Sequence, residues 1–170
     1  MEERHEREQY FFDEPTIDRL ADFVSAWDSP CCICCPQIGQ RLVEREVDVT
    51  ILDVDERFSH LPGFRHFDLT RPEWLGEEFG LILCDPPFFN VSFSQLVTAL
   101  RLLSRNDFSQ PLMVSYLVRR AASFEQAFEP FGLSRTGFQP RYETVVESPK
   151  NEIEFWSNLT KSQLKPLLDG

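Results

Sequence analysis

The stretch Leu81-Ile82-Leu83-Cys84-Asp85-Pro86-Pro87-Phe88-Phe89-Asn90 decides how the rest of the chain is read. Four apolar residues in a row predict a strand buried on both faces, as in a parallel sheet. The strand must stop at Asp85, because two consecutive prolines donate no ladder hydrogen bonds. In an open α/β sheet, ligands bind just beyond the carboxyl ends of the strands. The stretch therefore puts a carboxylate, a stiff turn with free carbonyls and an aromatic face where a ligand is expected.

Asp85-Pro86-Pro87-Phe88 resembles the (Asp/Asn/Ser)-Pro-Pro-(Phe/Tyr/Trp) motif of amino-methyltransferases that use S-adenosylmethionine. The chemistry suits those residues. A neutral amine has to meet a sulfonium methyl in line, so the protein contributes mainly position and electrostatics. Asp85 and the Pro86 carbonyl can accept the two N–H bonds of an NH2 group, and Phe88 can stack on a flat base or cover an alkylamine stem. The plain alternative is a proline-rich turn after a core strand.

The sequence either side of this stretch predicts alternating strands and helices. Asp13-Glu14-Pro15-Thr16 offers an N-cap and a first-turn proline for a helix over 14–26. Cys31 to Cys35 reads as the first strand. Its cysteines read as small core hydrophobes, since a strand sends neighbours to opposite faces and no second Cys/His pair has zinc-ribbon spacing. Pro36-Gln37-Ile38-Gly39-Gln40 then opens a helix where a nucleotide-binding fold would carry a glycine-rich loop, yet only Gly39 is present. Val47 to Asp53 is the second strand. Asp53 at its tip fits ribose hydroxyls, and Asp55 better fits the cap of the next turn. Phe64 to Asp68 is a short third strand; Asp68 either meets an adenine amino group or starts a turn. Beyond the central stretch come a helix over 92–103, a strand over 111–116, a helix through Phe124 and Phe128, a strand over 133–138, a strand over 151–158 and a short helix over 160–168.

At 170 residues, 42% hydrophobic and 26% charged, the chain suits one globular domain spanning 1–170, with residues 1–8 expected to be flexible. No apolar run approaches the ~20 residues that span a bilayer. The polar start and clustered free cysteines predict a cytoplasmic protein. Seventeen basic and 28 acidic side chains give a net charge of −11, against a broad unspecific grip on nucleic acid. The pairs Arg101 and Arg105, Arg119 and Arg120, and Arg135 and Arg141 read as solvated surface charge.

Taken together, these pieces resemble the probable N6-adenine methyltransferase family, which includes elongation factor 1A lysine methyltransferases. Gln9-Tyr10-Phe11 with Pro15-Thr16, Pro36, Asp55 with Arg57-Phe58, Phe67-Asp68, Asp85-Pro86-Pro87-Phe88, Pro140-Arg141 and Asn151-Glu152 with Asn158 match it in order and spacing. The resemblance implies a Rossmann-like class I methyltransferase: a seven-stranded, mostly parallel sheet with a reversed last hairpin and helices on both faces. It implies S-adenosylmethionine as methyl donor, with Pro36, Asp53, Asp55 and Asp68 along the cofactor and Tyr10 and Phe11 closing over its methionine end. Catalysis falls to Asp85, Pro86, Pro87 and Phe88, with Phe89 and Asn151 on the acceptor side.

The acceptor is less determined. A lysine must first lose a proton from a pKa near ~10.4, against the pull of Asp85. An adenine amine needs no such step but must be flipped out or single-stranded. The acidic surface favours a basic protein such as a translation factor, with adenine in RNA or DNA as the alternative. A methyltransferase-like scaffold without catalysis is a further alternative, which the intact Asp85 opposes. An NAD-type fold is opposed by the missing GxGxxG.

Overall fold

The computed structural model describes all residues 1–170. Seven strands form one sheet: β1 (Pro30–Ile33), β2 (Thr50–Asp53), β3 (Phe64–His66), β4 (Leu81–Cys84), β5 (Leu112–Leu117), β6 (Ser134–Arg135) and β7 (Ile153–Ser157). Their order is β3-β2-β1-β4-β5-β7-β6. All pairs are parallel except the two made by β7, which runs backwards between β5 and β6. This is the expected Rossmann-like class I methyltransferase sheet with its reversed hairpin.

The side-chain alternation of the strands splits the core into two layers. Cys31, Ile33, Ile82, Cys84 and Val114 face one side, covered by α3 (Phe93–Leu103) and α4 (Ala121–Ala127) through Leu96, Leu100 and Phe124. Cys32, Ile51, Leu81, Leu83 and Met113 face the other, covered by α1 (Glu14–Val24), α2 (Pro36–Glu44) and α5 (Lys161–Asp169) through Leu20, Ile38 and Leu167. All four β4 side chains are buried, worth roughly 1.5–3 kcal/mol for each of Leu81, Ile82 and Leu83. Four of the five cysteines are buried and all are free. No helix is long and apolar enough to cross a membrane.

Several boundaries differ from expectation for local reasons. The first helix ends at Val24, and its N-cap Asp13 accepts from Thr16 N–H at 3.0 Å. β2 begins at Thr50 because Glu46 takes a left-handed backbone (φ 59°) and Val47 N–H turns back to Leu42. β3 ends at His66, so Asp68 lies in the turn beyond it. The strand expected over 133–138 is reduced to Ser134–Arg135, since Gly137 (φ 85°) bends the chain while Gly137 N–H bonds the Glu154 carboxylate. Asn158 closes the β7 end: it accepts from Leu112 N–H and donates to the Gln110 carbonyl.

The glycine-poor turn after β1 also has an explanation. Cys34 itself adopts the left-handed backbone (φ 62°) that a glycine usually supplies. Gly39 serves packing instead, because a Cβ there would lie 2.6 Å from Ile51 Cγ1. The chain leaves β1 towards β2 on one side and leaves β4 towards β5 on the other. The tips of β1 and β4 therefore flank the point where strand order reverses, the expected crevice.

Candidate active site

A cavity of about 820 Å³ opens at these strand tips, within the usual range for ligand sites. It is lined by every candidate catalytic, cofactor-binding and acceptor-side residue: Tyr10, Phe11, Pro36, Asp53, Asp55 and Asp68 towards β1–β3, and Asp85 to Phe89 with Asn151 towards β4 and β7.

Asp85 lies at its floor, immediately after β4. One carboxylate oxygen, Oδ1, accepts from Ser115 Oγ at 2.5 Å and from Tyr142 Oη at 2.7 Å. No protein group donates to Oδ2 or to the Pro86 carbonyl. Burial pushes the Asp85 carboxyl up to about 7, against the two hydroxyl hydrogen bonds that favour its ionised form. The loop beyond is braced. Tyr116 Oη donates to the Phe88 carbonyl at 2.8 Å, and the Phe88 ring meets Tyr116 edge-on with centroids 5.1 Å apart. Arg120 donates to Tyr116 Oη at 2.9 Å. Arg119 lies over the exposed Phe89 ring, 5.7 Å from its centroid. Arg119 is thus exposed, as expected, but at the mouth of the site, while Arg120 is half-buried against Tyr116.

At the other end, Asp53 is 7% exposed and accepts from the backbone N–H of Asp55 at 2.8 Å; no side chain donates to it. Burial raises its carboxyl to about 6. A buried carboxylate short of donors fits the two hydroxyls of a ribose. Asp55 is differently engaged. It caps the turn at Glu56–Phe58 through Arg57 N–H, takes both Nε and Nη2 of Arg57, and accepts from Gln9 Nε2 at 2.8 Å. Burial opposes its charge, but those hydrogen bonds hold the carboxyl well below the usual range. Asp68 binds Thr70 N–H and Oγ1 through Oδ1, leaving Oδ2 free of protein donors. Pro36 opens α2.

Residues 1–8, expected to be flexible, lie with 9–12 as a strap across the mouth. Glu3 accepts from Phe11 N–H and Thr144 Oγ1. Gln9 is held between Asp55 and Arg57. Tyr10 stacks on His5 with centroids 4.7 Å apart and stays 38% exposed, while Phe11 is buried. Glu8 reaches across to the Phe88–Asn90 loop. Phe12 bridges the backbone of Tyr142 and packs on its ring at 4.8 Å. Asn151 bonds the Val146 carbonyl. Glu8, Ser115 and Tyr142 were not read as site residues from the sequence, and Arg120 was read only as surface charge. Only Tyr142 had a cue, as the neighbour of Pro140-Arg141.

A family model described as "Probable N6-adenine methyltransferase" matches residues 3–161. The chain belongs to this family. Among solved structures it is similar to magnesium protoporphyrin IX methyltransferase from Synechocystis PCC 6803 with bound S-adenosylmethionine (14% identity, 85% of this chain and 79% of that one, TM-score 0.57). It is similar to the CcbJ methyltransferase from Streptomyces caelestis (9%, 84% and 89%, 0.59) and to the 16S rRNA methylase RmtB (17%, 86% and 63%, 0.51). At these identities the likeness is one of fold. No curated protein matches the chain. The family member is an S-adenosylmethionine-dependent methyltransferase. Asp53 and Asp68 would hold the cofactor's adenosine, with Tyr10 and Phe11 at its far end. When bound, the cofactor supplies the activated methyl group.

Proposed function

We propose that this methyltransferase modifies the exocyclic N6 amine of adenine in RNA or DNA. The reading rests on one observation: Asp85 Oδ2 and the Pro86 carbonyl, two acceptors without protein donors, stand beside the Phe88 ring in the cavity. An NH2 group has two N–H bonds to give them, which fixes where its lone pair points. The adenine amine is neutral and reaches the site without losing a proton. A lysine ammonium would pair with Asp85 in a desolvated pocket and stay charged, which removes the lone pair the reaction needs. Phe88 supplies a stacking face, and Phe89 under Arg119 is a second aromatic at the mouth, as in single-strand readers. After transfer the nitrogen carries an extra proton, and Asp85, raised to about 7, is placed to take it.

A protein lysine is the second reading, favoured by the net charge of −11. That charge leaves little unspecific hold on a polynucleotide, so an adenine acceptor would be presented by a partner or within a folded RNA. The test is incubation with methyl-labelled S-adenosylmethionine and whole lysate, followed by nuclease or protease. Release of label by nuclease alone is expected. Release by protease alone overturns the adenine reading.

A further inference from the structure

We infer that the backbone N–H groups of Phe88, Phe89 and Asn90 form a binding site for the phosphate of the acceptor nucleotide, now filled by the Glu8 carboxylate as an internal stand-in. The inference rests on the adenine reading above. Its starting point is that Phe88 N–H reaches Glu8 at 3.0 Å, Phe89 N–H reaches both Glu8 oxygens at 3.1 Å, and Asn90 N–H bonds it as well. Three successive backbone donors aimed at one point make an anion-binding concavity.

The occupant lacks a cationic partner. No lysine, arginine or histidine pairs with Glu8, so backbone donors are its whole complement. The Glu8 backbone itself sits in the left-handed region at φ 52°, where it closes the 3-10 turn His5–Arg7 with its N–H on the His5 carbonyl and aims the side chain at the loop.

Its position suits a phosphate. The donors begin one residue after Pro87, on the same loop that presents Asp85 Oδ2 and the Pro86 carbonyl. A purine with its amine at those acceptors and its ring on Phe88 carries its sugar and phosphate away from the cavity floor. Asn90 and Phe89 are exposed at that outer end, and the guanidinium of Arg119 lies over Phe89. Tetrahedral phosphate oxygens would take the N–H groups that one planar carboxylate now shares, and Arg119 would give the charge that Glu8 lacks. Glu8 would swing out with residues 1–9, which are fastened by the polar contacts of Glu3 and Gln9, while Phe11 and Phe12 stay anchored in the core.

The test measures AMP and adenosine binding by calorimetry with S-adenosylhomocysteine saturating the cofactor site, so that neither probe can enter there. The proteins are wild type, Glu8→Ala, Glu8→Gln and Glu3→Ala. Emptying the nest in Glu8→Ala is expected to tighten AMP about tenfold and leave adenosine unchanged. Glu8→Gln, which keeps the shape without the charge, should fall between. Glu3→Ala loosens the strap but leaves Glu8 in place, and should not separate AMP from adenosine. If adenosine binds and AMP gains nothing in Glu8→Ala, the phosphate site is wrong while the adenine reading survives. The same AMP gain in Glu3→Ala would credit strap mobility and overturn the site. If neither probe binds any variant and label goes to protein, both readings fall together.

Discussion

Replacing Tyr142 by Phe should move the pH dependence of methyl transfer without removing the ring that holds the mouth together. Tyr142 Oη donates to Asp85 Oδ1 at 2.7 Å, and its ring packs on Phe12. Asp85 is a charge-assisted acceptor for the amine, and can take the proton released after transfer, only when ionised. Its carboxyl is raised to about 7 by burial, so activity is present above that pH and lost as pH falls through it. A hydrogen bond to a charged group is worth roughly 1.5–3 kcal/mol, or about 1–2 pKa units. Ser115 remains at 2.5 Å and shares the load, so a rise of about one unit is the working figure. The ionised fraction at pH 7 then drops from about one half to about one tenth, a roughly fivefold loss of kcat that vanishes near pH 9. The assay is a pH–rate profile at saturating cofactor for wild type and Tyr142→Phe, with Ser115→Ala as a companion. A loss that is constant across pH would refute the reasoning and leave Tyr142 a packing residue.

The same shift has the opposite sign for stability. Because the folded carboxyl titrates above its unfolded value, Asp85 contributes stability that is complete below about pH 4 and lost as pH rises through about 7. The acid is thus held ionised at neutral pH at a cost to the fold, as expected of a group kept for chemistry.

Asp85→Ala should abolish methyl transfer while cofactor affinity stays within about threefold, since Asp85 acts on the acceptor; near-full turnover would remove it from the reaction. Asp53→Ala should weaken S-adenosylmethionine binding by about 10–100-fold, the loss of hydrogen bonds to a charged group. Wild-type affinity should itself fall below about pH 6 as Asp53 protonates, and calorimetry at pH 5 and 8 checks both. Arg57→Ala leaves the 1%-exposed Asp55 with Gln9 as its only side-chain donor. It should cost roughly 3 kcal/mol, or about 6–12 °C in Tm for a chain this size. That gap should narrow in acid, because the depressed Asp55 carboxyl contributes stability only above its unfolded pKa and loses it as pH falls.

The strand tips were legible because burial and its interruption are local signals. Leu81-Ile82-Leu83-Cys84 could only be a core strand, and Asp85-Pro86 could only end it. Acids at successive strand ends then marked the crevice. Arg119 keeps the exposure expected of it, but a charge pair shows no direction along the chain, and only folding decides that its guanidinium lies over Phe89 and that Arg120 turns to Tyr116. The partners that set the chemistry were out of reach for a different cause. Tyr142 lies 57 residues from Asp85, Ser115 lies 30 and Glu8 lies 80 from Phe88, and none of these contacts carries a periodicity. Asp85 was visible as a ligand-facing acid, but its titration near 7 comes from burial, opposed by a β5 hydroxyl and by a phenol that the strap pins through Phe12. The strap therefore touches both halves of the acceptor site. It holds the phenol that tunes the acid and inserts the carboxylate that fills the nest. An acceptor that displaces Glu8 would pull on the anchored Phe12, and through it on Tyr142, so binding of the phosphate and ionisation of Asp85 are expected to be coupled through residues 8–12.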